Sequence, residues 1–173
     1  MKNRALMVII TVLAAAVGIL AFLNHSNLAN KQQDAVNPVL LIKVDGENTG
    51  EIDLKRIREL GGETFVVTQR SSGKAPVDRE LTGVPLKEVL AAVDPDFSRK
   101  GSQIAAQASD AYVTAYSMDA VLAEENIYLV YEQDGKPLGE KRDGGSGPLL
   151  LVVRQDTYAQ NWCKFLAEID IRP

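Results

Sequence analysis

Residues Ala5 to Leu23 carry no charge and almost no polar group over about 19 positions. A helix needs roughly 20 apolar residues to cross the hydrocarbon core of a bilayer. No side of the run is polar enough to face water, which argues against a buried helix of a soluble domain. Lys2 and Arg4 stand just before it, and the first acidic residue is Asp34. The positive-inside rule then puts residues 1–4 in the cytoplasm and everything after Leu23 on the far side.

Residues 5–23 are therefore read as a transmembrane signal-anchor. The competing reading is a cleaved signal peptide, which would release the rest as a secreted protein. Such peptides have a shorter apolar region and small residues at the cleavage site. Asn24-His25-Ser26-Asn27-Leu28-Ala29 offers no good site, and no cysteine follows the run to carry a lipid. The expected location is the cell membrane, single-pass, with the C-terminal portion extracytoplasmic. Residues 24–37 are polar and read as a tether. Residues 38–173 have the size of one domain, long enough to bury a core without disulfides.

Charge narrows the partners. Lys2 and Arg4 removed, 17 of the 19 basic residues face all 23 acids, so the exported portion carries about −6. Nucleic-acid affinity comes from neutralising phosphates, so no nucleic-acid partner is expected. The membrane is met through residues 5–23, and a protein partner in the membrane or envelope is the other expectation.

Two absences restrict the chemistry. The only histidine is His25, in the tether, and the only cysteine is Cys163. Ser-His-Asp and Cys-His catalysis in their usual forms need an imidazole that the domain lacks. Zinc, copper and non-haem iron lose their commonest ligand. Trp162-Cys163-Lys164-Phe165 reads as the apolar face of a helix, with the thiol buried and inert.

The periodicity alternates between strands and short helices. Strands are expected over residues 38–44, 63–69, 103–108, 112–116, 127–133, 148–154 and 168–172, from their β-branched and apolar runs. PLLLVVR, at 148–154, is the most hydrophobic and reads as central, buried on both faces. Asp53 is a plausible N-cap for a helix that Gly61 stops. Thr82-Gly83-Val84-Pro85 reads as the opening of a second helix that Asp94-Pro95 ends. Ser117 caps a third, over 118–123, and Asp156 a fourth that runs through Leu166. Residues 70–79 read as a polar loop, Asp45-Gly46 as a turn closing the first strand, and Asp134-Gly135-Lys136 as a hairpin turn. The fold class is α+β with a mixed β-sheet and short helices.

Five segments in this order carry a resemblance. They are Leu81-Thr82-Gly83-Val84-Pro85-Leu86, Ala108-Ser109-Asp110-Ala111-Tyr112, Asp134-Gly135-Lys136-Pro137-Leu138, Gly145-Ser146-Gly147-Pro148-Leu149, and Trp162 with Lys164. Together they resemble the molybdopterin-binding domain of the sulfite oxidase type of oxidoreductase, in its short stand-alone bacterial form. The resemblance implies that fold over residues 38–172, and molybdopterin as the cofactor of the family. Catalytic members hold molybdenum through a cysteine thiolate after an early strand. Here the residues after 63–69 are Arg70, Ser71 and Ser72, and the domain has no histidine. The residues themselves give no reason to expect a cofactor or a metal site, and no catalytic residue is singled out.

The candidate ligand pocket is Arg142, Gly144, Gly145, Ser146 and Gly147, with Asp110 and Tyr112. Glycines let backbone N–H groups approach an anion; the alternative is a plain glycine turn. Asp110 in such a bend ordinarily bonds its own backbone. The leading reading is a membrane-tethered, non-catalytic binding or interaction module. The alternatives are a molybdopterin-dependent oxidoreductase with unusual ligands and an accessory subunit of a membrane electron-transfer complex. Whether the chain is an enzyme stays open at this point.

Overall fold

The first strand, β1 (Val39–Val44), buries alternate residues, with Leu40 and Ile42 inward. It turns at Asp45-Gly46, both at positive φ (50° and 80°), the geometry of a tight hairpin. The computed structural model describes residues 37–173 apart from 71, 72, 74, 157 and 158. The expectations for residues 1–4, 5–23 and 24–36, and for Ser71 and Ser72, lie outside the described residues.

The elements then follow as β2 (Glu47–Asp53), α1 (Leu54–Glu59), β3 (Glu63–Gln69), β4 (Val77–Pro85) and α2 (Leu86–Val93). After them come β5 (Gln103–Ala108), β6 (Val113–Ser117), α3 (Met118–Leu122), β7 (Ile127–Gln133), β8 (Lys136–Pro137), β9 (Leu150–Val153) and β10 (Leu166–Arg172). Asp53 and Ser117 cap α1 and α3 as expected: each side chain accepts an N–H three residues on, from Arg56 and Ala120.

Two five-stranded sheets form. The first has the order β2-β1-β10-β5-β6. It is mixed, because β1 and β10 run parallel while the other pairs are antiparallel. The second is antiparallel: β3-β4-β7 in order, with β8 and β9 sharing the far edge of β7.

Strand β7 explains the layering. Ile127, Leu129 and Tyr131 join a large core that also takes residues from β1, β2, β5, β10 and the helices. Tyr128 and Val130 join a smaller core with Phe65, Val67, Leu81, Leu138 and Trp162. In β9, Leu151 and Val153 face the large core while Leu150 and Val152 face the small one. Successive strand residues point to opposite faces, so two cores on one sheet turn both strands into unbroken apolar runs.

Several expectations are corrected. β9 is buried on both faces but is not central: it pairs with β7 on one side and meets only a bridge, Leu151 to Cys163, on the other. Residues 70–79 are not all loop, since β4 begins at Val77. Thr82–Pro85 close that strand, and α2 starts at Leu86 with Pro85 as its cap. The register of β4 on β7 shifts between Thr82 and Gly83. There a Cβ on Gly83 would sit 2.5 Å from the Leu129 carbonyl oxygen, so the close crossing requires glycine.

The expected helix from Asp156 to Leu166 is absent. A short 3-10 turn, Ala159–Asn161, precedes the Cys163 bridge. Trp162 enters the small core and Cys163 the large one. That alternation has the period of a strand, and Phe165 at φ 56° breaks it. β2 carried no apolar signal, because ENTGEID forms an edge strand with only Ile52 buried.

Candidate functional site

A cleft of about 580 Å³ opens beside the small core. Four separate segments wall it. Gln69 ends β3, and Ala75, Val77 and Arg79 lead into and along β4. The β7–β8 hairpin supplies Gln133 to Leu138, and the glycine segment supplies Gly139 and Gly144 to Ser146; Lys164 completes the rim. Asp134 and Gly135 turn the hairpin at φ 53° and 69°, which brings Lys136 opposite Gln133.

The glycine segment is shaped by local bonds. Lys141–Asp143 make one 3-10 turn, ended by Gly144 at φ 73°. This left-handed conformation suits glycine. The Gly145 N–H bonds to the Glu140 carbonyl at 2.9 Å. Gly145 also lies so close to the Gly139 backbone that a side chain would collide with it.

The electrostatics of the cleft favour an anion. Arg79, Lys136 and Lys164 line it against a single carboxylate, Asp134. Arg79 is held in place, its Nε donating to Gln69 at 3.4 Å and its Nη1 lying 3.9 Å from Asp134. Lys136 and Lys164 are exposed and take part in no ion pair among the described residues. Gly144, Gly145 and Ser146 therefore come together with three cations that the sequence reading had not joined to them.

The other candidate residues lie elsewhere. Gly147 is buried against Leu138. Arg142 makes an exposed local ion pair with Glu140 at 2.9 Å. Asp110 accepts the Tyr112 N–H at 3.3 Å, the turn-forming bond expected of it. Its other oxygen takes the Lys141 ammonium at 2.8 Å. That hydrogen bond, and then the Tyr112 N–H, hold the Asp110 carboxyl below its ordinary value. Tyr112 is half exposed, its hydroxyl 3.4 Å from the Gln160 carbonyl. Ala111 takes φ 68°, a strained value for a residue with a Cβ.

Asp110 is nevertheless tied to the glycine segment. Ser109 N–H bonds the Phe165 carbonyl, and Phe165 N–H bonds the Ser146 carbonyl, both at 2.9 Å. Lys141 lies 5.5 Å over the Phe165 ring. The 108–112 bend thus braces the back of the wall that Gly144–Ser146 form.

A second cleft, about 290 Å³, lies at the other border of the small core, lined by Thr68, Arg70, Arg154, Asp156 and Trp162 among others. Arg154 covers Phe65 at 5.1 Å and pairs with Glu125 at 3.3 Å. Burial, with the neighbouring Glu63 carboxylate adding, raises the Tyr128 hydroxyl to about 12.

Fold and cleft together define a two-sheet α+β domain with a cation-lined pocket beside its smaller core. Residues 40–173 match the family model described as the oxidoreductase molybdopterin binding domain. The chain belongs to that family. Among solved structures it is similar to the sulfane dehydrogenase SoxCD from Paracoccus pantotrophus, at 18% identity and a TM-score of 0.58. The match covers 78% of this chain and 38% of that one, so the chain spans little more than a third of its length. At this identity the likeness speaks for the fold. No curated protein matches.

Molybdenum calls for a soft donor such as a thiolate. Cys163 is fully buried, and its Sγ donates to the Ala106 carbonyl oxygen at 3.7 Å. Burial, with the Asp110 charge adding, pushes the thiol up to about 11, so it is neutral at physiological pH. Among the described residues no group of three or more His, Cys, Asp or Glu side chains is arranged to hold a metal. The side chains present do not fit a thiolate-held molybdenum atom.

The cations Arg79, Lys136 and Lys164 escaped the sequence reading because they are far apart in the chain. Lys136 and Lys164 had only a motif signal, their places in the Asp134–Leu138 segment and the Trp162 motif.

Proposed function

We propose that this chain is a membrane-tethered, extracytoplasmic member of the molybdopterin-oxidoreductase family that binds a ligand or partner and does not catalyse. The apolar run at 5–23 supports the tether and the side of the membrane. The observation that carries the non-catalytic reading is the state of Cys163. The one thiol of the chain is sealed in the large core as a neutral group, and only the thiolate is a metal ligand.

The test is elemental analysis of the full-length protein, purified from a host that makes the pterin cofactor. Molybdenum well below one atom per chain is expected. One tightly held atom per chain would make the protein an oxidoreductase with an unusual ligand set.

A further inference from the structure

We infer that two copies of this chain pair edge to edge through β3, antiparallel about a two-fold axis at Val66. The inference deepens the binding reading and rests on it, because the partner becomes a second copy of the chain.

The edge is open and ordered. β3 ends its sheet and pairs with β4 in unbroken register from Glu63 to Gln69. Among the described residues, none bonds its backbone from the other side. The Ala159 N–H meets the chain at the Arg70 carbonyl, one residue past the strand. A free row of N–H and C=O groups is a template for another strand, and edges are ordinarily blunted by bulges, lysines, prolines or shortness. ETFVVTQ has none of these over seven residues. At its middle stands Val66, the most exposed large apolar side chain among the described residues, at 61%. The strand is also tied down beforehand. Thr64 and Thr82 bond through their hydroxyls at 2.9 Å, and Thr68 donates to Asp78 at 2.7 Å. An edge already ordered loses little freedom on pairing.

The strand's own sequence identifies the occupant. From either end toward Val66, ETFVVTQ nearly repeats itself. In the two-fold pair Val66 meets its own copy, Phe65 meets Val67, Thr64 meets Thr68, and Glu63 meets Gln69. Aromatic–β-branched and Thr–Thr pairs are favourable across strands, and like charges directly opposite are unfavourable. The one charge of the strand, Glu63, falls opposite a neutral amide. That matters between two copies that are each net negative. The faces stay in phase as well, with Thr64, Val66 and Thr68 exposed on one and Phe65 and Val67 buried on the other. Such self-complementarity is what an isologous contact requires. The other sheet ends lack it. β2, paired in the same way about Gly50, would set Glu47 against Asp53, and its register on β1 shifts between Ile42 and Lys43. β6 has only five residues, and β8 has two, one of them Pro137.

The experiment is disulfide trapping of the full-length chain in neutral detergent micelles, with sedimentation velocity beside it. The one native thiol, Cys163, is buried, so an introduced cysteine reports alone. Opposed residues of an antiparallel pair have Cα atoms about 4.5–5.5 Å apart, within the roughly 4.4–6.8 Å that a disulfide spans. Val66→Cys is expected to give a cross-linked dimer under mild oxidation. Thr64→Cys is expected to give none, because the two copies of position 64 lie four residues apart along the strands, about 13 Å. Adding Thr68→Cys to Thr64→Cys in the same chain is expected to restore the cross-link. In sedimentation the parent protein is expected to dimerise as its concentration rises. Val66→Glu sets two carboxylates at the axis and is expected to weaken the dimer by about tenfold or more. The site is exposed, so the fold is retained, which the urea midpoint checks. Val113→Glu, at an exposed valine on β6, is expected to leave the dimer unchanged.

A parent protein that stays monomeric at every concentration reached would overturn the inference, as would a dimer that Val66→Glu does not weaken. Equal cross-linking through Thr64→Cys and Val66→Cys would overturn the register and the inference with it. The molybdenum content reads the non-catalytic proposal separately, so either idea can fail alone.

Discussion

The two cores of this domain are built on opposite faces of one sheet, and they differ in kind. The large core is mostly aliphatic and closed at its centre: Leu40, Ile57, Leu86, Leu90, Leu129, Leu149 and Leu151 are all without exposure. The small core is edged by Phe65, Val67, Leu138 and Trp162, each retaining a little exposure, and two clefts open along its border, while a more open hollow of about 550 Å³, edged by Ile52 and Val93, lies beside the large core. The contrast teaches where stability and recognition are separated. One face of β7 holds the domain together, and the other presents a surface that a ligand can reach.

The same substitution placed in each core gives the largest test. Leu129→Ala should cost about 2–5 kcal/mol, as deletions in tightly packed interiors do. Leu138→Ala, at the cleft wall, should cost roughly 2 kcal/mol or less, because a neighbouring cleft lets its surroundings relax. Urea denaturation of both variants measures the pair, and equal costs would break the comparison.

A smaller effect is expected at Trp162. Its indole N–H is buried without a partner among the described residues, and an unmet buried donor is a cost to the fold. Trp162→Phe removes that unmet donor along with some packing area. The two changes offset, so the same urea measurement should show a loss under about 1 kcal/mol. A loss as large as that of Leu129→Ala would mean that the small core is as tightly built as the large one.

The smallest effect concerns the brace behind the glycine wall. Lys141 holds the Asp110 carboxyl below its ordinary value. A depressed folded-state value means that the contribution is present above the ordinary carboxylate value and is lost as pH falls through the lowered one. Lys141→Met should raise the Asp110 value toward the ordinary one in an NMR titration. An unchanged Asp110 titration would show that the ion pair does not form in solution.

Much of the fold was legible where burial follows one simple pattern. β3, β5 and β7 have the bounds read from their β-branched and apolar runs. The caps at Asp53 and Ser117 were legible because a side-chain oxygen before a helix has one obvious task. β2 was not, since an edge strand can form from polar residues when its neighbour supplies the apolar face. The segment at 156–166 misled because a tryptophan and a cysteine side by side look like one helical stripe, whereas here they serve opposite cores.

The candidate site was legible only in part, for a similar reason. Gly144, Gly145 and Ser146 announced themselves by composition. Arg79, Lys136 and Lys164 are ordinary surface cations until the hairpin ends and the Cys163 bridge bring them around one space. Asp110, Tyr112 and Arg142 were grouped with the glycines by motif, but they stand behind or outside the cleft wall.

The parallel pairing of β1 with β10 has a consequence for assembly. β10 is made after every other strand of these two sheets, yet it sits between the β1–β2 hairpin and the β5–β6 hairpin and links them in the sheet. Until Leu166–Arg172 leave the ribosome, two finished hairpins wait with an empty seat between them. Such long-range closure is slow relative to local pairing, so a nascent chain of this kind stays vulnerable to proteases and to stray strands until its final seven-residue strand arrives.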